Sequence, residues 1–367
     1  MTFFKFDNIK IAGIASAVPS TVVKSTDYVD KFGNEAVQKF VEMTGVQEHR
    51  ATLKHQTASD LGYVAAEKLL MEKNVNRDSI GVLIFGAHST DYRRPATACV
   101  LHKRLGLGDQ CSAYDISLGC SAFVYCAQVA ASMLACSDAN KALIIVGETM
   151  TKIVYPEDKS SAMLFGDGGA AILLEKTDDN NELSGELCTD GKGYRAIIAP
   201  AGGFRNFDDT KEPMIWEDGN PRTLYNTYMN GMDVFSFTVT KVPRTIKNYL
   251  KRTGQEIGQF DCLAFHQANR YIQQQLAKKL KADITKMPLC LDRYGNTSAP
   301  AIPLLLSDVY GKDDSAKDLK ILMCGFGVGL SWGVLSAVIN SADIFPIVET
   351  DEYFTEGLIH SPEDLKK

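Results

Sequence analysis

Apolar and polar positions alternate along this chain in two registers. In VAAEKLLMEKNVNRDSIGVLIFGAHST, residues 64–90, apolar residues recur at three- and four-residue spacing, a polar turn follows, and an apolar run closes the passage. That order predicts an amphipathic helix leading into a strand. VPRTIKNYLKRTGQEIGQFDCLAFHQANR, residues 242–270, repeats it, and matching Leu83 to Leu263 and Phe85 to Phe265 sets the copies 180 residues apart. A second pair, MLFGDGGAAILLE (163–175) and LMCGFGVGLSWGVLSAV (322–338), reads as apolar strands broken by glycines and then resumed.

Strands alternating with helices predict an α/β class. The repeat predicts two similar halves packed face to face in a five-layer body with a site between them. The expected halves are residues 1–180 and 181–367. Residues 176 to 230, rich in Asp, Asn, Gly and Pro, are expected as surface strands and long loops. The last 27 residues form an acidic tail whose scattered apolar side chains predict that it lies against the body.

Composition narrows the function. The 367 residues are 45% hydrophobic and 23% charged, ordinary for a globular protein. A net charge of −6 argues against a nucleic-acid binder. No apolar run of about 18 residues points to a membrane span, and the first residues lack a secretory pattern. A cytoplasmic location is the expectation. The nine cysteines are scattered, with no C-x-x-C pair and no clustered histidines, so zinc and redox-motif readings fail.

Three residues draw chemical interest. Cys120, in SLGCSAF, opens a helix that is apolar nearly all round; unpaired amides and the positive dipole end there favour a thiolate. The bland reading is a packed helix-start cysteine. His266 stands where the strand DCLAF ends, which is where ligand chemistry gathers in α/β proteins, or it is a structural hydrogen bonder. His88, its counterpart in the first half, is expected to be structural. Asn296, in DRYGNTSAPAIPLLL, precedes an apolar helix and reads as a ligand group or a cap. The order Cys, His, Asn fits papain-like cysteine proteases and thiolase-fold condensing enzymes. No papain-like C-G-S-C-W run surrounds Cys120.

The flanks instead resemble the ketoacyl synthase III family: TGVQEHRA (44–51), ISLGCSAF (116–123), LFGDGGAAILLE (164–175), MNGMDVFSF (229–237), HQAN (266–269), DRYGNTSAPAIPLLL (292–306) and GFGVGLSWG (325–333). They run in the family's order and stop about 30 residues before the end. GFGVG is not a dinucleotide fingerprint, since Leu330 fills the third-glycine position and no βαβ context surrounds it.

The resemblance implies a thiolase-like five-layer αβαβα fold and a decarboxylative condensation of an acyl primer with malonyl-ACP, without metal or redox cofactor. It implies that Cys120 accepts the acyl group as a thioester, while His266 and Asn296 hold the malonyl thioester carbonyl. Backbone N–H groups of Cys120 and Val328 would form the oxyanion hole, and Phe326 would shield the cluster. Asn269, Gly231 and Arg94 fall at substrate- and pantetheine-binding positions, Arg94 reaching across a homodimer interface where the family usually has an apolar residue. Arg270, Lys278 and Lys279 would form a patch for acyl carrier protein. At positions where a Trp and two Arg clamp the coenzyme A adenine, this chain carries Lys39, Met43 and Lys159, which weighs against an acyl-CoA donor. The alternatives are acyl transfer to an O or N acceptor, a hydroxymethylglutaryl-synthase-type condensation, and an inactive scaffold subunit.

Overall fold

The computed structural model describes residues 2–179, 181–313 and 315–366. The strands that frame the site are β1 (Thr2–Phe6), β2 (Ile9–Pro19), β3 (Ile80–Gly86), β4 (Ser112–Ile116), β5 (Lys141–Thr149), β6 (Asp167–Lys176), β7 (Leu183–Thr189), β8 (Cys262–Phe265), β9 (Asp318–Gly327), β10 (Ser331–Asn340) and β11 (Val348–Thr350). The helices are α1 (Asn34–Thr44), α2 (Ala58–Glu72), α3 (Thr97–Leu105), α4 (Ala122–Ala135), α5 (Gly231–Thr253), α6 (Arg270–Leu280) and α7 (Ala301–Tyr310).

One sheet runs β11-β2-β6-β5-β3-β4 and the other β1-β7-β10-β9-β8. Within them, β2-β6-β5-β3 and β7-β10-β9-β8 share one pattern: two antiparallel pairings, then a parallel one. This is the repeat that the helix-then-strand pattern announces. The junction of the expected halves falls between β6 and β7, yet the termini cross it. β1 pairs with β7 in the second sheet, and β11 pairs with β2 in the first. Each sheet thus has an edge strand from the far end of the chain.

Alternating strand residues decide the layers. Val82, Ile84, Ile144, Ile321 and Met323 point inward and meet helices α4 and α7 in one core. Their neighbours Leu83, Phe85 and Ile145 point outward under α2 and α3. Leu263, Leu322 and Cys324 point outward under α5 and α6. Helices, sheet, helices, sheet, helices give five layers. Because α4 and α7 are covered by a sheet on each side, their sequences are apolar almost all round.

Two expectations change. Residues 163–164 are a turn rather than a strand, because their backbone partners belong to the Asn296 loop: Asn296 N–H donates to Leu164 O at 2.9 Å and Gly166 N–H to Asn296 O at 3.1 Å. The strand that corresponds to β9 is β5. Residues 183–189 are not surface either, since β7 is paired on both edges and mostly buried. The tail behaves as its apolar residues predict: Phe354 N–H donates to Asp60 Oδ1 at 2.9 Å, and Tyr92 Oη donates to Gly357 O at 2.6 Å.

Candidate active site

Cys120 sits in the turn between β4 and α4. The space around it is set by glycines on the opposite wall. A Cβ at Gly327 would fall 2.6 Å from Cys120 Cβ and 2.8 Å from Sγ, and one at Gly325 3.0 Å from the Cys120 carbonyl oxygen. Gly325 and Gly327 of GFGVG therefore make room for the Cys120 turn, not for a nucleotide. Gly119 also acts through room rather than through a left-handed turn: a Cβ there would lie 3.0 Å from both His88 Cδ2 and Ser298 Oγ.

The sulfur lies 3.5 Å from Ser298 Oγ, with the backbone amides of Val328 and Cys120 directed at it. Burial pushes the thiol up from its ordinary range, and these hydrogen bonds pull it only part of the way back. Burial thus works against the thiolate that the helix terminus alone favours. Ser121 Oγ and Ser331 Oγ are 2.7 Å apart, and Ser331 donates to Val328 O at 2.7 Å, which ties the Val328 loop to the start of α4.

His266 leaves the end of β8, its N–H donating to Cys324 O at 2.9 Å. Its ring stands edge-on to Phe326 at 5.3 Å and 88°, and Nδ1 is buried with no hydrogen-bond partner among the described residues. Burial lowers its pKa to about 3, so the imidazole is neutral at pH 7. Asn296, just before α7, accepts from Ser298 N–H through Oδ1 at 2.9 Å. That contact fixes the amide plane and leaves the NH2 group to offer a ligand. Gly295 permits the approach with φ +62°, and a Cβ there would be 2.8 Å from Leu164 O.

Cys120, His266, Asn296, Val328, Phe326, Asn269 and Gly231 all line one cavity of about 980 Å³. Its lining is largely apolar, with Met150, Leu164 and Phe165 from the first half and with Ile197, Ile198 and Met229 from a second-half segment termed the roof. The roof segment is anchored by Arg222, which is fully buried. Its guanidinium meets Asp158 at 2.6 Å and Asp218 at 2.6 Å, beside the stacked rings of Trp216 and Tyr228.

Other expected residues spread out. Asn269 Oδ1 caps α6 by accepting from Ile272 N–H at 2.8 Å. Arg270 packs over Gly45, where a Cβ would be 2.7 Å from its Nε. Lys278 and Lys279 are exposed at the other end of α6, about 12 Å along the axis, so the three cations do not form one cluster at the mouth. Arg94 is exposed and outside the lining of its own chain's cavity. Lys159, Lys39 and Met43 offer no aromatic ring, and Met43 is 59% exposed.

Sequence reasoning passed over Ser298, Ser117 and Glu148, and it read His88, which lines the cavity, as structural. Ser298 was within reach as the residue two beyond Asn296. Glu148 gives no local signal: it is buried, and accepts from His88 N–H at 2.8 Å, Ser89 N–H at 3.1 Å and the Ser89 hydroxyl. Burial raises its pKa, with the His88 and Ser89 contacts opposing the shift. Among the described residues, no group of three or more His, Cys, Asp or Glu could hold a metal ion, and no helix is long and apolar enough to cross a membrane.

Comparison with known proteins gives one consistent result. Residues 114–191 match the family model for 3-oxoacyl-[acyl-carrier-protein] synthase III, and residues 250–339 match the model for its C-terminal part. The chain is 32% identical over 324 residues to the β-ketoacyl-[acyl-carrier-protein] synthase III of Xanthomonas campestris pv. campestris, covering 88% of this chain and 96% of that protein. It is 31% identical to the Clostridioides difficile protein of the same name, again over 88% and 96%. The crystal structure of a 3-oxoacyl-(acyl-carrier protein) synthase from Burkholderia xenovorans superposes with a TM-score of 0.90 at 34% identity, covering 95% of this chain and 99% of that one.

Proposed function

Since the chain belongs to the 3-oxoacyl-[acyl-carrier-protein] synthase III family of thiolase-fold condensing acyltransferases, we propose that it carries an acyl primer on Cys120 and condenses it with malonyl-ACP. The observation that carries this reading is the convergence of Cys120, His266 and Asn296 on one largely apolar cavity, with two backbone amides aimed at the sulfur.

Cys120 Sγ attacks the primer's thioester carbonyl. The thiol proton goes to the departing carrier thiolate, and an acyl-enzyme remains. The N–H groups of Cys120 and Val328 stabilise the oxyanion formed on the way. When the malonyl thioester follows, its bond to the carboxylate breaks and carbon dioxide leaves. The electron pair moves onto the thioester carbonyl as an enolate. Neutral His266 and the Asn296 NH2 donate hydrogen bonds to that oxygen, and Phe326 covers the imidazole against water. The enolate carbon then attacks the acyl-Cys120 carbonyl, a carbon–carbon bond forms, and the bond to sulfur breaks, releasing a Cys120 thiolate that takes a proton from solvent.

The missing aromatic clamp at Lys39, Met43 and Lys159 favours a carrier protein over coenzyme A as primer donor. Arg270, between the cavity-lining Asn269 and Tyr271, offers a cation to such an acidic partner. We also infer a cytoplasmic homodimer, joined near Arg94, where Phe204 is 81% exposed and Arg93 stacks on Phe207 at 3.9 Å. The test supplies carrier-bound primer and malonyl-ACP. The expected product is longer by two carbons, with one carbon dioxide released for each; an acyl group passed on unchanged contradicts the condensation.

A further inference from the structure

His88 follows β3 at the edge of the cavity. Its Nδ1 lies 3.3 Å from Ser117 Oγ, and both side chains line the cavity that holds Cys120. The other edge of the ring faces the thiol's neighbour: a Cβ at Gly119 would sit 3.0 Å from Cδ2 and 3.3 Å from Nε2. Among the described residues, Nε2 has no hydrogen-bond partner. The loop is held firmly, because the buried Glu148 carboxylate accepts from the backbone of both His88 and Ser89. Apolar Met150, Leu164 and Phe165 also line this cavity.

An aliphatic acyl group laid against this wall would strip water from an imidazole and a hydroxyl and return no hydrogen bond, which is unfavourable. A primer with an oxygen at that place would satisfy both. We propose that His88 and Ser117 form an oxygen-recognising subsite, and that the preferred primer carries a hydroxyl or carbonyl oxygen close to its thioester end. This rests on Cys120 as the acyl-accepting thiol.

The test compares the rate of acyl-enzyme formation, read by intact mass, for butyryl and 3-hydroxybutyryl groups on carrier protein. The wild-type chain is expected to react about tenfold faster with the hydroxylated primer, the worth of one hydrogen bond. In His88→Leu that ratio falls to about one, through a slower hydroxylated primer; His88→Gln restores part of it, and Ser117→Ala lowers it less. If His88→Leu does not fold, Ser117→Ala and His88→Gln carry the comparison. Equal rates in the wild type, a faster butyryl group, or a ratio unchanged by these substitutions overturns the subsite. Absence of any acyl-enzyme with either primer, in a protein that melts cooperatively, overturns the role of Cys120 and the subsite with it.

Discussion

His88 and His266 stand at matching places in the two halves, each just past the strand that lies parallel to its sheet neighbour, and each on the wall of the same cavity. Their surroundings differ. His266 is buried against Phe326 with Nδ1 unpartnered among the described residues, and its pKa falls to about 3. His88 is exposed and lies beside Ser117. Cys120 and Asn296 make a similar pair, each preceding a middle-layer helix, one offering sulfur and the other an amide. A duplicated scaffold delivers side chains to equivalent points, and local burial then decides what each can do.

Five measurements press on this contrast, from the strongest effect towards the weakest. Arg222→Ala leaves Asp158 buried without its cation and is expected to cost about 3–5 kcal/mol, seen as a lower denaturation midpoint. The cavity roof belongs to the second half, yet that ion pair fastens it to a loop of the first. His266→Ala, and separately Asn296→Ala, should slow condensation by about 10²–10³ while Cys120 acylation changes only a few-fold. His88→Ala should instead change primer preference by about tenfold. If both histidines affect the same step equally, the contrast fails. Gly327→Ala forces a methyl against the Cys120 sulfur and is expected to cost about 1–3 kcal/mol, with acylation lost at temperatures where the chain remains folded.

The smallest effect is a pH slope. The folded pKa of His266 is depressed to about 3, whereas the unfolded value is near 6.5. Between those values the unfolded chain binds a proton that the folded chain does not, so this group removes stability as pH falls from about 6.5 towards 3. The slope is at most about 1.4 kcal/mol per pH unit. His266→Asn should therefore lose less stability than the wild type between pH 6.5 and pH 5 in denaturant titrations. Identical slopes would contradict a buried neutral imidazole.

Much of this was legible from the chain. The helix-then-strand pattern exposed the repeat, because strands buried on both faces leave unbroken apolar runs. The order and flanks of Cys120, His266 and Asn296 brought the site together before any coordinates. What escaped depends on distant contacts. The exchanged edge strands β1 and β11 are short, and their partners lie at the other end of the chain. Residues 163–164 are as apolar as a strand, but they bond to the Asn296 loop. Gly119 makes room for His88 and Ser298, neighbours that no local pattern reports. Burial at Cys120 opposes the thiolate that a helix terminus favours, and no local pattern reports burial. The basic residues 270, 278 and 279 read as one patch until the helix length set them apart.

The most direct test of the central claim is the intact mass of the full-length protein after exposure to a carrier-bound acyl thioester. The wild type is expected to gain one acyl group, and Cys120→Ala none, with both proteins equally folded by circular dichroism. An acyl group gained by Cys120→Ala at the wild-type rate would contradict Cys120 as the nucleophile.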